Sequence, residues 1–165
     1  MSCEALQTIT KSCDNNSGGI KFIWLNEQAN VTAANTGWEV TTLTSSPIYT
    51  AFEINRNTGS FTEETAVDLI NGSTFVTQTI TLMFSRRDKD KSEAINVLGS
   101  GQQFLSAIIQ DANDKYWYFE DLQLSAVGEG SGTARADGSK YSVTLISESD
   151  HLAWEIDPAL IAANT

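Results

Sequence analysis

One histidine and a set of carboxylates are the residues of this 165-residue chain whose types suit catalysis. His151 directly follows Asp150, and a histidine oriented by a carboxylate is the base of a nucleophilic relay. No serine lies in the Gly-x-Ser-x-Gly context that presents a nucleophile, and adjacency in sequence does not align a relay. We therefore predict that the chain is not an enzyme and has no catalytic residue.

Two carboxylate patterns suggest hydrolysis or metal binding. Glu63 and Glu64 are neighbours in a strand-like segment, so their side chains point to opposite faces and cannot flank one glycosidic bond. Asp111, Asn113 and Lys115 are spaced like the first ligands of a calcium-binding loop. The sixth position of that loop needs glycine and is tyrosine here, so a turn is the better interpretation.

The cysteines and a glycine-rich segment do not predict a cofactor site. With one histidine and only Cys3 and Cys13, the chain cannot assemble a Cys/His zinc site. The two thiols either stay free or close a short disulfide. Residues 128–138, GEGSGTARADG, lack the lysine and the following helix of a phosphate-binding loop. We predict no metal and no cofactor.

Four tryptophans leave a binding function open: Trp24, Trp38, Trp117 and Trp154. In a β-protein such side chains either pack in the core or present flat rings on which sugars stack. A glycan-binding β-sandwich that uses exposed tryptophans is therefore an alternative function.

Charge excludes tight binding of nucleic acid through a basic patch. Ten basic residues stand against 21 acidic ones, which gives a formal net charge of −11. A surface of this sign repels phosphates, as suits a wall that DNA passes without binding. We also expect no contact with a membrane, because no apolar run approaches ~20 residues and no export signal is visible at the amino terminus.

Strand signals dominate the chain from about residue 20 to residue 156. Asn71-Gly72 is a strong hairpin signal at the centre of a ribbon over about 59–85. Near-helical spacing of apolar residues predicts one short helix at about 89–98, ended by Gly99. The expected fold is mainly β, an antiparallel sandwich or barrel with one flanking α-helix and a long hairpin, in a single domain over 1–165.

A two-residue turn at Asn71-Gly72 sets the predicted register of the hairpin, with Ile70 opposite Ser73. It pairs Phe61 with Leu82 and Val67 with Val76 on a largely apolar face. The other face is polar and acidic, and it is formed by Thr62, Glu64, Asp68, Thr77, Thr79 and Thr81.

The order of several strands, a long hairpin, a short helix and more strands resembles the tail tube proteins of bacteriophages and the inner tubes of contractile injection systems. The resemblance spans about residues 20–156. It implies a β-sandwich with a flanking helix, six copies in a ring, and stacked rings whose inner strands close into a barrel around the DNA path. A tail terminator or connector of the same fold is a further possibility within this family.

The resemblance also implies roles for residues and partners. The partners would be further copies of the chain and other tail proteins, with DNA passing through unbound, in a virion assembled in the cytoplasm of a bacterial host. The polar face of the hairpin, namely Thr62, Glu64, Asp68, Thr77, Thr79 and Thr81, would line the lumen. The expected subunit-interface residues are Phe61, Val67, Leu69, Asn71, Gly72, Phe75, Val76, Ile80 and Leu82.

Overall fold

The computed structural model describes residues 5–165 and consists mainly of β-strands. The predicted mainly β class with a long hairpin and a flanking helix is confirmed, and a second, four-residue helix lies near the carboxyl terminus. The elements are β1 (Ile20–Glu27), β2 (Val31–Thr36), β3 (Glu39–Ser45), β4 (Thr50–Phe52), β5 (Gly59–Asp68), β6 (Ser73–Ser85), α1 (Lys89–Leu98), β7 (Leu105–Asp111), β8 (Tyr116–Gly128), β9 (Lys140–Ser149), β10 (Trp154–Ile156) and α2 (Ile161–Asn164).

All ten of these strands belong to one curled sheet with two parts. The order β2-β3-β10-β8-β7-β1-β4 forms what we call the body sheet, and β5-β6-β9-β8 forms the arm sheet. Strand β8 belongs to both, because its first half pairs with β7 and β10 and residues 123–128 pair with β9. The expectation of a wholly antiparallel sheet is wrong in one place, since β3 and β10 are parallel.

The main core lies between the arm sheet and the body sheet. Ile80 and Leu145 of the arm belong to the same buried cluster as Ile23 and Ile109 of the body and Phe119 of β8. The alternation of apolar residues in β6 and β9 supplies one apolar face to this cluster and leaves the other face polar.

A second core covers the other face of the body sheet. Val40, Ile108 and Ile156 pack there with Ile161 of α2. Because both faces of the body sheet are covered, residues 105–109 of β7 are all buried in succession, where a sheet with one wet face shows alternation.

Helix α1 occupies the predicted residues and flanks the arm sheet. Asp88 is its N-cap, and the Asp88 side chain accepts a hydrogen bond from the Lys91 backbone N–H at 2.8 Å. Ile95 and Leu98 are the buried residues of α1 and join the main core. The next residue, Gly99, has Leu124 of β8 so close that a Cβ would meet it at 2.7 Å.

The predicted two-residue turn of the hairpin is wrong. Asp68 pairs with Ser73, so four residues, 69–72, form the loop. The Asp68 carboxylate accepts hydrogen bonds from the backbone N–H groups of Ile70 at 2.9 Å and Asn71 at 3.2 Å, which stabilises the wider loop. Pairing is thereby shifted by two residues, for example Phe61 with Ile80 in place of Leu82. A shift of two keeps every side chain on its predicted face.

Candidate self-association surface

The arm sheet has one face on the main core and one polar face. On the polar face, Thr62 pairs with Thr79, and Glu64 pairs with Thr77, which in turn pairs with Glu148 of β9. The predicted lining residues of β5 and β6 therefore do lie together on the face away from the core: Thr62, Glu64, Thr77, Thr79 and Thr81.

Strand β9 extends this face by residues that sequence reasoning did not assign to it. Thr144 pairs with Thr81 and Ile146 pairs with Thr79, so a row of threonines crosses from β6 to β9. The signal was available, because Tyr141, Val143 and Leu145 alternate with these residues and are buried.

Asp68 lies on the predicted face but serves the hairpin loop. The backbone N–H of Asn71, the Asn71 side-chain amide and the backbone N–H of Ile70 all donate to its carboxylate and lower the pKa of Asp68 below its usual value. Asp68 therefore stays charged while it holds the loop.

Several predicted interface residues pack against other residues of their own chain. Val76, Ile80 and Leu82 are buried in the core, so the expectation that they contact another copy is corrected. They hold β6 against the body sheet. Phe61 is half-buried and meets the Phe119 ring edge-on, with ring centroids 5.2 Å apart.

The remaining interface residues lie around the hairpin loop and are exposed. Val67 and Phe75 are 57% and 42% exposed, and Leu69 is 89% exposed. Ile70, which was not among the predicted interface residues, is 95% exposed. Asn71 and Gly72 complete the loop, where Gly72 has a φ of 68° that suits glycine. An apolar tip thus projects from the arm sheet.

Both edges of the arm sheet have unpaired backbone groups. Within the described part of the chain, β5 pairs with β6 alone, and residues 123–128 of β8 pair with β9 alone. Each edge therefore offers a row of N–H and C=O groups to a further strand.

Charge divides the arm sheet along its strands. One end of the arm sheet contains the hairpin loop and the last residues of β9, and we call it the acidic end. Carboxylates from β5, β8 and the end of β9 lie close together there. The segments 61–79, 116–128 and 141–154 contain no lysine or arginine. The acidic residues of this end are Glu63, Glu64, Asp68, Glu120, Asp121, Glu148 and Asp150.

The opposite end, which we call the basic end, contains seven of the ten basic residues. Ser85 pairs with Lys140 there, about 30 Å along the strand from the acidic end. Some carboxylates of this end are engaged locally: Asp88 by Lys91, and Glu129 by Lys140 at 4.0 Å. The basic residues are Arg56, Arg86, Arg87, Lys89, Lys91, Arg135 and Lys140.

The residues first considered for catalysis make structural contacts. The His151 ring stacks on Trp154 at 4.0 Å, its Nδ1 bonds the Leu152 carbonyl, and its Nε2 lies 3.5 Å from Glu120 Oε1. Asp111 accepts hydrogen bonds from two backbone N–H groups of its turn. The described residues contain no group of three or more His, Cys, Asp or Glu that could hold a metal ion.

The tryptophans differ in burial and in the contacts that they make. Trp117 is half-buried and donates its Nε1–H to Asp111 at 2.9 Å, and Trp24 packs on the second core. Trp38 is 59% exposed in the turn between β2 and β3. Cys13 is exposed, while Cys3, and with it the question of a disulfide, lies outside the described residues.

A buried tyrosine of the second core predicts how stability depends on alkaline pH. Tyr49 is 3% exposed and its hydroxyl bonds Ser106 Oγ at 2.6 Å. Burial raises the pKa of Tyr49 well above the ordinary value of 10.0. The folded protein thus keeps the proton that the unfolded chain loses near pH 10, so the stabilisation is complete below pH 10 and is lost as pH rises beyond it.

We expect the free energy of unfolding to fall steeply above about pH 10 and Tyr49→Phe to flatten that fall. Urea unfolding at intervals from pH 8 to 11 measures both slopes. Tyr116→Phe, in a partly buried position against the same core, is the control. Equal slopes for Tyr49→Phe and the unchanged protein would contradict the assignment.

Comparison with known proteins finds no family model that matches this chain, and no curated protein or solved structure that matches it. Among the described helices, none is long and apolar enough to cross a membrane. A function for this chain is therefore inferred from its geometry.

Proposed function

We propose that the chain is a structural virion protein that associates with copies of itself into stacked rings and so forms a tail tube. The observation that supports this most is the arm sheet. It has four strands, an unpaired edge on each side, and a threonine-rich, acidic face turned away from its core. In this proposal the chain is not an enzyme and uses no cofactor.

The unpaired backbone groups of the two edges can form hydrogen bonds with each other between neighbouring copies. The outer edge of β5 in one copy would pair with residues 123–128 of β8 in the next, which removes two aggregation-prone edges at each contact. Because the two edges are different surfaces, the contact is head-to-tail, and such contacts close into a ring when the rotation per copy allows it.

The dimensions of such a ring suit a DNA conduit. Four strands from each of six copies, spaced ~4.8 Å apart, give a circumference of ~115 Å and a backbone diameter of ~37 Å before tilt widens it. With ~5 Å of side chain on each side, the lumen still admits a duplex roughly 20 Å wide.

The polar face suits a lumen that DNA passes without binding. Glu64 and Glu148 repel phosphates, and the threonine hydroxyls keep the surface wetted without adding positive charge. The one basic residue on this face of β9 is Lys140, which lies at the end of the strand beside Glu129. DNA is therefore expected to cross the arm sheet without a stable contact.

Purified protein at high concentration is expected to form rings or hollow tubes in negative-stain electron microscopy. Analytical ultracentrifugation at the same concentrations gives the mass of the assembled species. A protein that stays monomeric at every concentration contradicts the proposal.

Cysteine cross-linking tests the edge contact itself. In a Cys3→Ser/Cys13→Ser background, Ala126→Cys on β8 is combined with Ser60→Cys, Thr62→Cys or Glu64→Cys on β5. Within one copy, these strands are three strand spacings apart, about 14 Å, which exceeds the reach of a disulfide. A ladder of covalent oligomers is therefore expected from at least one pair. Ala126→Cys with Thr79→Cys, which is in the interior strand β6, is the matched control and should give no ladder.

Glycan binding remains the second candidate because Trp38 is exposed. A glycan array gives the discriminating result: binding that disappears in Trp38→Ala, in a protein that forms no rings, would favour this function over the tube.

A further inference from the structure

The hairpin loop is an apolar tip in an acidic setting. Leu69 and Ile70 are 89% and 95% exposed, so their side chains have almost no contacts in their own copy. Glu64 lies on β5 four residues before Asp68, which opens the loop. A surface that covers this tip must therefore combine apolar contact with positive charge.

Two clefts flank helix α1, and they differ in charge. The first has a volume of about 310 Å³ and is lined mainly by apolar residues such as Phe52, Val97 and Leu105, with Glu27 among its lining residues. An acidic tip would meet a like charge there, which disfavours this cleft.

The second cleft has a volume of about 420 Å³ and lies between α1 and the basic ends of β8 and β9. Its apolar wall is made by Ile95, Leu124 and Val127, and Arg87 and Tyr141 also line it. This volume falls within the range of ~300–1,000 Å³ that holds small ligands, so it can accept branched aliphatic side chains.

Arg87 is positioned to receive a carboxylate at this cleft. Its guanidinium lies 4.0 Å above the Tyr141 ring, and one nitrogen donates to the Lys140 carbonyl at 3.4 Å. Within the described residues, no carboxylate lies within ion-pair distance of Arg87, so its other N–H groups are open to an acceptor from a second copy.

We propose that the hairpin loop of one copy inserts into the cleft between α1 and β8 at the basic end of a second copy. Leu69 or Ile70 contacts the wall formed by Ile95, Leu124 and Val127, and the acidic end of the first copy meets the basic end of the second, which contains Arg87. The inference rests on the proposed function, because this contact runs along the strands and joins one ring to the next.

A loop of four residues buries little surface, so one such contact is weak. A ring presents the same contact from each of its copies at once, and once the first has formed the others form at high effective concentration. Single copies should therefore associate weakly through this contact, while assembled rings stack firmly.

Two tests address this contact in the full chain. In Leu69→Ser/Ile70→Ser, the apolar tip is removed, and the protein concentration needed for tubes is expected to rise about tenfold or more while the cross-linked rings still form. Val97→Ser is the matched control, because Val97 is 55% exposed and lines the first cleft. It should leave stacking unchanged.

The second test exchanges charges. Arg87→Glu makes both ends acidic and Glu64→Arg places a positive charge at the acidic end, so each variant alone should stack poorly. An equal mixture is expected to restore tubes with alternating copies, and 500 mM NaCl should weaken stacking of the unchanged protein.

The outcomes separate this inference from the proposed function. Rings and tubes that form equally well with the altered tip, or a mixture that stacks no better than either variant alone, overturn the tip contact and leave the ring intact. A missing ladder in all three cysteine pairs between β5 and β8, with the hairpin loop unaltered, overturns the ring. Sedimentation of the charge-exchanged mixture still reports whether the tip binds the cleft.

Discussion

Replacing Phe119 with alanine is expected to lower the free energy of unfolding by about 3–5 kcal/mol. Phe119 is 1% exposed and lies in β8 shortly before that strand passes from the body sheet to the arm sheet. Its ring meets Phe61 of β5 edge-on, so the substitution removes an aromatic contact and opens a cavity at once. Domains of this size are stable by about 5–15 kcal/mol, so much of the total would be lost.

Urea unfolding followed by circular dichroism measures this loss. Phe104→Ala is the matched control, because Phe104 is 52% exposed and should change stability by no more than about 0.5 kcal/mol. A double-mutant cycle with Phe61→Ala isolates the interaction between the two rings. We expect a coupling free energy of about 0.5–1.5 kcal/mol. A loss below 1 kcal/mol for Phe119→Ala would show that the junction of the two sheets does not depend on this ring.

The hairpin and helix α1 were predictable because their signals are local. Alternation over 59–85 defines both faces of β5 and β6, and Gly99 directly follows Leu98, the last apolar residue of α1. The turn was mispredicted because Asn71-Gly72 favours a two-residue loop, while the Asp68 carboxylate stabilises a four-residue one.

The pairing of strands that are distant in sequence could not be predicted from the sequence pattern. Nothing local in β8 indicates that its two halves belong to different parts of the sheet, or that β10 lies parallel to β3. These pairings depend on which apolar faces meet once the chain is compact, and a strand of three residues such as β10 has almost no pattern of its own.

The candidate surface was partly predictable for the same reason. The polar face of the hairpin follows from side-chain alternation, and it survives the wrong turn because pairing moved by an even number of residues. The acidic end was not predictable, because Glu120 and Glu148 join Glu64 only through the pairing of β6 with β9 and the contact of Glu120 with His151.

Glu63→Ala is expected to lower the free energy of unfolding by about 1–3 kcal/mol. Glu63 Oε1 accepts hydrogen bonds from Gln78 Nε2 at 2.9 Å and from the Ala153 backbone N–H at 2.6 Å. Gln78 is only 2% exposed, and its other contact, with the His151 carbonyl, is long at 3.4 Å. Without the carboxylate, two buried donors lose their acceptor, and the hairpin loses its link to the segment before β10.

Glu64→Ala is the matched control, because the neighbouring carboxylate points to the opposite, exposed face of β5 and should change stability by no more than about 0.5 kcal/mol. Hydrogen exchange at the Ala153 amide adds a local readout, since that N–H is expected to exchange faster in Glu63→Ala and at an unchanged rate in Glu64→Ala. Equal stability of the two variants would mean that the hydrogen bonds of Glu63 do not stabilise the contact between the hairpin and the segment before β10. Because the proposed ring needs β5 held in place for the next copy, loss of this link should also raise the protein concentration at which rings form.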